Sequence, residues 1–199
     1  MKKFLHVGCG NQNKKSTTRE FRRGNWKETR LDIDPSVNPD IEATITDMSG
    51  VADAYYSALF TSHTVEHLYP HEVSTALSEF YRVLGDDGYA VITCPDLKSV
   101  AKYVAADKLT DILYHSPAGP ISPIDILFGH RASVAKGNVY MSHKGGFTAK
   151  TLKQELLKVG FTKVVSMSRA AHFDIWILAV KKRLTDNDIR TLALQHFPK

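Results

Sequence analysis

The chain has 199 residues, 43% of them hydrophobic and 24% charged, with a formal net charge of +5. That length suits one domain with a full core, and the composition is that of a globular protein. No run of eighteen apolar residues could cross a membrane, and the two cysteines, Cys9 and Cys94, give no disulfide framework. The opening Met-Lys-Lys-Phe-Leu has the charge of a signal peptide, but its apolar run breaks at Gly8, so a cytoplasmic protein is expected.

In chain order, Phe4, Leu5 and Val7 form a short apolar run that leads into Gly8-Cys9-Gly10. This reads as a strand ending in a glycine turn, where the missing Cβ lets the backbone turn tightly and lie close to a ligand. A second run, Thr29 to Pro35, reads as a strand that ends in acid at Asp32. Strand, glycine turn and acid-tipped strand make the layout of a nucleotide-binding α/β fold, in which the acid takes ribose hydroxyls. A dinucleotide fingerprint would need a third glycine where Asn13 stands, and no P-loop is present. The turn therefore suits a nucleoside without phosphates. Further strands are expected at 42–46, 58–62 and 89–94, and an amphipathic helix at 71–84. This alternation implies a parallel sheet with its ligand at the carboxyl ends of the strands. Residues 97–146 break the pattern with prolines, glycines and several histidines and tyrosines. A connection that long is expected to act as a substrate-binding insert or lid. Residues 148–160 read as a helix with a glycine cap, 164–168 and 173–180 as a closing hairpin, and 184–199 as a C-terminal surface helix with Thr185 as its N-cap.

The segment Leu5-His6-Val7-Gly8-Cys9-Gly10 resembles the first motif of the class I S-adenosylmethionine-dependent methyltransferases. Leu31 to Pro35, Thr46-Asp47-Met48, Ala58 to Leu68, Tyr81 to Tyr89, and Gly146 to Phe161 are similar to that family's later motifs, in the same order. The resemblance implies a Rossmann-like, doubly wound, seven-stranded and mainly parallel sheet. Its last strand would be antiparallel, and 1–183 would form a single domain with the insert after strand five. The implied cofactor is S-adenosylmethionine. Gly8, Cys9, Gly10 and Asn11 would shape the turn under it. Asp32 would bind the ribose, Ile33 and Met48 would sandwich the adenine, and Asp47 would accept from the adenine amine. Ser62 and His63 would floor the cleft. Three departures stand out: His6 occupies the position of a usual acid, Gln12 that of a third glycine, and the first helix is poorly formed, since Asn13 to Lys27 is basic and polar, with Phe21 and Trp26 but no sustained apolar stripe.

Methyl transfer needs alignment and, for a hydroxyl or amine acceptor, a base. His130 and His143 in the insert and Asp96 at the tip of strand five are the candidates. The expected acceptor is a small polar or sugar-like molecule, with no membrane or nucleic-acid partner; nothing in the sequence sets the oligomeric state. The basic residues between Lys14 and Arg30 read either as a solvated face or as an attractor for an anionic substrate. His63-Thr-Val-Glu66-His67 also matches an H-x-x-E-H metal pattern. It follows a strand, Pro70 bars a long helix and no third ligand is announced, so no metal is expected and His67 is read as packing. A nicotinamide oxidoreductase and a non-catalytic S-adenosylmethionine- or nucleoside-binding module are the alternative readings.

Overall fold

The computed structural model describes residues 1–199. In chain order its elements are β1 (Lys2–Val7), β2 (Trp26–Asp32), β3 (Ile41–Glu42), β4 (Tyr56–Ser62), α1 (Val73–Val83), β5 (Leu84–Pro95) and α2 (Leu97–Ala105). There follow β6 (Tyr114–Ser116), β7 (Gly119–Ile121), α3 (Pro123–Phe128), α4 (Arg131–Val134), α5 (Ala149–Lys158), β8 (Lys163–Arg169), β9 (Asp174–Val180) and α6 (Asp186–His196). The main sheet has seven strands in the order β3-β2-β1-β4-β5-β9-β8. The pairings from β3 through β5 are parallel, while β9 runs antiparallel to both of its neighbours. This is the expected Rossmann-like sheet with its antiparallel last strand.

One expected strand is much shorter than read. Residues 42–46 give only the end of β3, and the chain then turns over Thr44–Asp47, closed by Asp47 N–H on Thr44 O at 3.1 Å. The Thr44 hydroxyl accepts from Thr46 N–H, the local bond by which threonine competes with a sheet ladder.

The two faces of the sheet are covered differently. Leu5, Val7, Leu31, Leu59, Ile92 and Ile177 point to one face and meet α1 and α5. Buried Val73, Ala76, Leu77, Phe80 and Val83 give α1 a stripe at helical spacing. Thr148 caps α5 at its start, and Gly160 ends it with a φ of +114° that glycine adopts freely. The opposite face is aromatic: Phe4, Phe60 and Tyr89 meet Phe21 and Trp26. Phe21 stacks on Phe4 with ring centroids 4.3 Å apart.

No α-helix connects β1 to β2. The span holds one 3-10 turn, Lys14–Ser16, and is otherwise irregular. Its own cations hold it in place, both within the span and against the C-terminal helix. Lys14 Nζ donates to Arg23 O and Trp26 O, and Arg19 donates to Leu194 O. The basic residues thus supply donors that a helix would have supplied from its backbone. α6 completes the cover. Ile189, Ala193 and His196 face inward while Leu194 is 72% exposed, so its buried stripe differs from the expected Ile189, Leu192 and Leu194. His196 bridges Thr18 Oγ1 (2.8 Å) and Tyr89 Oη (3.0 Å) beneath the helix.

The insert is more regular than its turn-rich composition suggests. Val100, Ile121 and Ile126 form a small apolar cluster on Phe173. Its two ends meet at the sheet: Asp96 bridges Phe147, and Leu97 N–H donates to Phe147 O at 3.0 Å. No helix is long and apolar enough to cross a membrane.

Candidate active site

The turn after β1 is held from β2. Gly8 and Cys9 both donate their N–H to Leu31 O, at 2.8 and 3.2 Å. Gly8 has a φ of +63°, and a Cβ there would lie 2.3 Å from Thr64 Oγ1. Glycine is required on both counts. Gly10 has a φ of +50°, and nothing lies within 4 Å of its Cβ position, so its backbone faces open space.

Asp32 closes the other side of that space. Its Oδ2 accepts from Gly10 N–H at 2.7 Å and its Oδ1 from Asp34 N–H at 3.0 Å. Each oxygen keeps lone-pair capacity for another donor, as a ribose diol requires. Asp34 serves the next turn, accepting from Ser36 N–H at 2.9 Å. Ile33 is 48% exposed and offers an apolar face, and Asn11 is exposed beyond the turn. Cys9 is buried, and burial pushes its thiol up to about 11, so its sulfur is an unreactive wall. Turn, open space and acid fit the adenosyl portion of S-adenosylmethionine. His6 offers nothing to the methionine end, because it is buried with Nδ1 2.8 Å from Glu28 Oε1.

Two expected adenine contacts are corrected. Met48 is fully buried in the core beneath α1, where Arg82 holds its carbonyl, so it has no face to give an adenine ring. Asp47 accepts from Ser49 N–H and borders a polar surface cavity of about 640 Å³ with Ser74, Ser78 and Arg82, with no apolar wall for a base. Arg30, read only as part of a basic stretch, does specific work. It donates from Nη2 to Gly10 O (2.7 Å) and Val37 O (3.0 Å), from Nε to Gln12 O (3.0 Å) and from Nη1 to Asn38 O (2.8 Å). It fastens the glycine turn to the loop after β2. The signal for it was its place two residues before Asp32, on the same strand face.

The acceptor side begins where β4 ends at Ser62. His63 has a φ of +54° and donates its N–H to Thr93 O at 2.9 Å. The chain then makes the 3-10 turn Val65–His67. Glu66 in it is 1% exposed, and its Oε2 accepts no hydrogen bond. His63 Nδ1 lies 3.2 Å from Glu66 Oε1. Burial pushes the Glu66 carboxyl up, but His63 and then His67 pull it further down, below the usual carboxylate value. The His63 side chain is half exposed, and the facing Glu66 carboxylate raises its pKa above the usual imidazole value.

The insert returns along this turn. Lys144 and Gly145 donate their N–H groups to Glu66 O at 3.0 and 3.1 Å. His67 Nδ1 lies 3.0 Å from Ser142 O and His143 Nδ1 lies 2.8 Å from Ile126 O. The two rings are 4.9 Å apart, edge to face, and burial lowers the His143 pKa. So the structure joins His143 to the H-x-x-E-H segment, and the His130 ring enters none of these contacts. Asp96 is corrected as a candidate base. It is buried, and its carboxylate caps α2 by accepting from Lys98 N–H (3.0 Å) and Ser99 Oγ–H (2.8 Å).

Residues 5–92 match the family model described as a methyltransferase domain. That match, together with the fold, supports a class I S-adenosylmethionine-dependent methyltransferase. A methyltransferase domain of this kind supports an enzyme that takes its methyl group from S-adenosylmethionine. No curated protein matches this chain by sequence. Its fold is similar to the CMeT domain of the citrinin polyketide synthase, with a TM-score of 0.59 and 14% identity. That comparison covers 92% of this chain but 47% of the other, so this chain spans about half of that protein's length. It is also similar to a SAM-dependent methyltransferase from Archaeoglobus fulgidus, with a TM-score of 0.56 and 17% identity over 90% of this chain and 86% of that one. A third likeness is to the Burkholderia thailandensis 1,6-didemethyltoxoflavin-N1-methyltransferase, which binds 1,6-didemethyltoxoflavin and S-adenosylhomocysteine. Its TM-score is 0.56, with 13% identity over 91% of this chain and 71% of that one.

Proposed function

We propose that this methyltransferase acts on a small polar acceptor, rich in hydroxyl or amine groups, seated between the carboxyl ends of β4 and β5 and the insert. The observation that carries this reading is the tie between the insert and the Val65–His67 turn, which sets His143 beside His67 on the acceptor side. The bound 1,6-didemethyltoxoflavin of the Burkholderia enzyme supports a small molecule. A nucleic-acid partner is disfavoured because Lys14, Arg19 and Arg30 are spent on the protein's own carbonyls.

S-adenosylmethionine supplies a methyl group already activated on a sulfonium, so the protein's task is alignment and proton handling. Asp32 receives the ribose hydroxyls, Gly10 leaves the backbone room, and Ser62 and His63 floor the cleft. Ile126 O fixes the Nδ1–H tautomer of His143, and its Nε2 lone pair is free to hold the acceptor's proton. The test is S-adenosylhomocysteine release across a panel of small polyols, sugars and amines. With an acceptor found, His143→Ala should lower turnover roughly a hundredfold, the scale of lost acid–base catalysis, with cofactor affinity nearly intact. An equal loss of S-adenosylhomocysteine affinity would place His143 in the cofactor site instead.

A further inference from the structure

The H-x-x-E-H segment lacks a third ligand in its own sequence neighbourhood, and the fold provides one. Glu66, His67 and His143 offer ligand atoms that all lie within 4.8 Å of one another. Proximity alone would be weak, but three further features point the same way. Glu66 is buried, and apart from His63 Nδ1 at 3.2 Å from Oε1 no donor meets its carboxylate, which leaves Oε2 open to a cation. His67 and His143 each turn Nδ1 onto a backbone carbonyl, which leaves the Nε2 lone pairs free. That second-sphere bond is how proteins fix the tautomer and aim of a metal-binding imidazole. Finally, Lys144 and Gly145 pin the insert to the turn that bears Glu66 and His67, so the groups come together whenever the insert docks. His63, beside Glu66, faces this group from the end of β4.

We propose that Glu66, His67 and His143 bind one divalent transition-metal cation, with an open coordination position toward the acceptor. Two imidazoles and a carboxylate suit a borderline ion such as Zn²⁺, Co²⁺ or Mn²⁺ better than Mg²⁺ or Ca²⁺, which favour all-oxygen shells. Metal–ligand bonds of about 2.1 Å need only modest side-chain rotation to draw the three atoms in. The cation's role rests on the small-acceptor reading, and with the ion bound the His143 Nε2 lone pair is a ligand, so the cation takes over the proton handling otherwise given to His143. An acceptor hydroxyl on the open position loses its proton to solvent at a lower pH than in water. Its oxygen then attacks the sulfonium methyl: the C–O bond forms, the C–S bond breaks, and that electron pair stays on sulfur, giving S-adenosylhomocysteine.

The experiment uses the full chain, stripped with a chelator and titrated with Co²⁺ by visible absorption and with Zn²⁺ by calorimetry. One cation per chain is expected. Glu66→Gln and His143→Ala should each weaken binding at least about a hundredfold, the upper range for loss of even a second-sphere partner. His172→Ala, an exposed imidazole elsewhere, should not change it. If Glu66→Gln fails to fold, as its circular dichroism would show, His143→Ala carries the comparison. S-adenosylhomocysteine affinity, measured on the same samples, should be unchanged by stripping, which separates this proposal from the cofactor reading. Absence of a cobalt band in the wild type, or equal binding by wild type and His143→Ala, would overturn it. Stoichiometric binding with turnover unaffected by stripping would overturn the role toward the acceptor.

Discussion

The two faces of the sheet solve the same problem by different means. One is sealed by two amphipathic helices whose aliphatic stripes interlock with the strands. The other faces a connection with no α-helix, and is sealed by the rings of Phe21, Trp26 and Tyr89, with α6 brought back from the end of the chain. A helix buries a continuous stripe and satisfies its own backbone; an irregular segment does neither. Aromatic side chains restore the buried area with few residues, and Lys14, Arg19 and Arg30 restore the backbone hydrogen bonds. Toward the carboxyl ends of the strands the aromatic face becomes polar, through His6, Glu28, Arg30 and Asp32. The absence of a covering helix and the anchoring of the glycine turn are therefore parts of one arrangement.

The comparison can be broken most severely at Phe21. Phe21→Ala should cost about 3–5 kcal/mol in denaturant unfolding, at least as much as Leu152→Ala on the helical face, at about 2–5 kcal/mol. A loss below about 1 kcal/mol would mean that the irregular segment does not seal its face. Acid probes the same face next. Burial pushes the His196 pKa down to about 3. The unfolded chain, with its imidazole near 6.5, then takes up the proton first. Stability is complete above pH 6.5, falls as pH drops, and by pH 4.5 has lost about 2–3 kcal/mol through this residue. His196→Gln should flatten that part of the acid limb; an identical pH profile would remove His196 as its cause. At the polar end, Asp32→Ala should weaken S-adenosylhomocysteine binding by about 1.5–3 kcal/mol in calorimetry. Unchanged binding there, with a large loss for Asp34→Ala, would reassign the ribose acid. The smallest effect is at the α6 cap, where Thr185→Ala should cost about 1 kcal/mol of stability, through the lost bond to Asp188 N–H. No change would show that α6 is held by its buried face alone.

The helical face was legible in the sequence because Val73 to Val83 and Leu152 to Gly160 carry their own period and stop signals. The aromatic face was not, since Phe4, Phe21, Trp26, Phe60 and Tyr89 share no spacing and meet only in three dimensions. In the site, a strand that ends in acid made Asp32 readable, and the structure keeps it at the glycine turn. Met48 misled because a motif position says nothing of burial, and here the shortened β3 turns that side chain into the core. Arg30 was hidden inside a charge count. His143 could be named only as one histidine among several, because its neighbour His67 stands far away in the chain and is reached through the fold alone.

The meeting of Asp96 and Leu97 with Phe147 also has a meaning for how such a protein could diversify. Everything from Leu97 to Gly146 leaves and re-enters the sheet at one point, so it behaves as a cassette. Its replacement by a segment of another length would alter loop-closure entropy by well under about 1 kcal/mol for a change of less than twofold, while β1, β2 and the glycine turn keep their hydrogen bonds. His143 travels with the cassette while Glu66 and His67 stay behind, so under the proposed readings a single graft would change both the acceptor and the cation site.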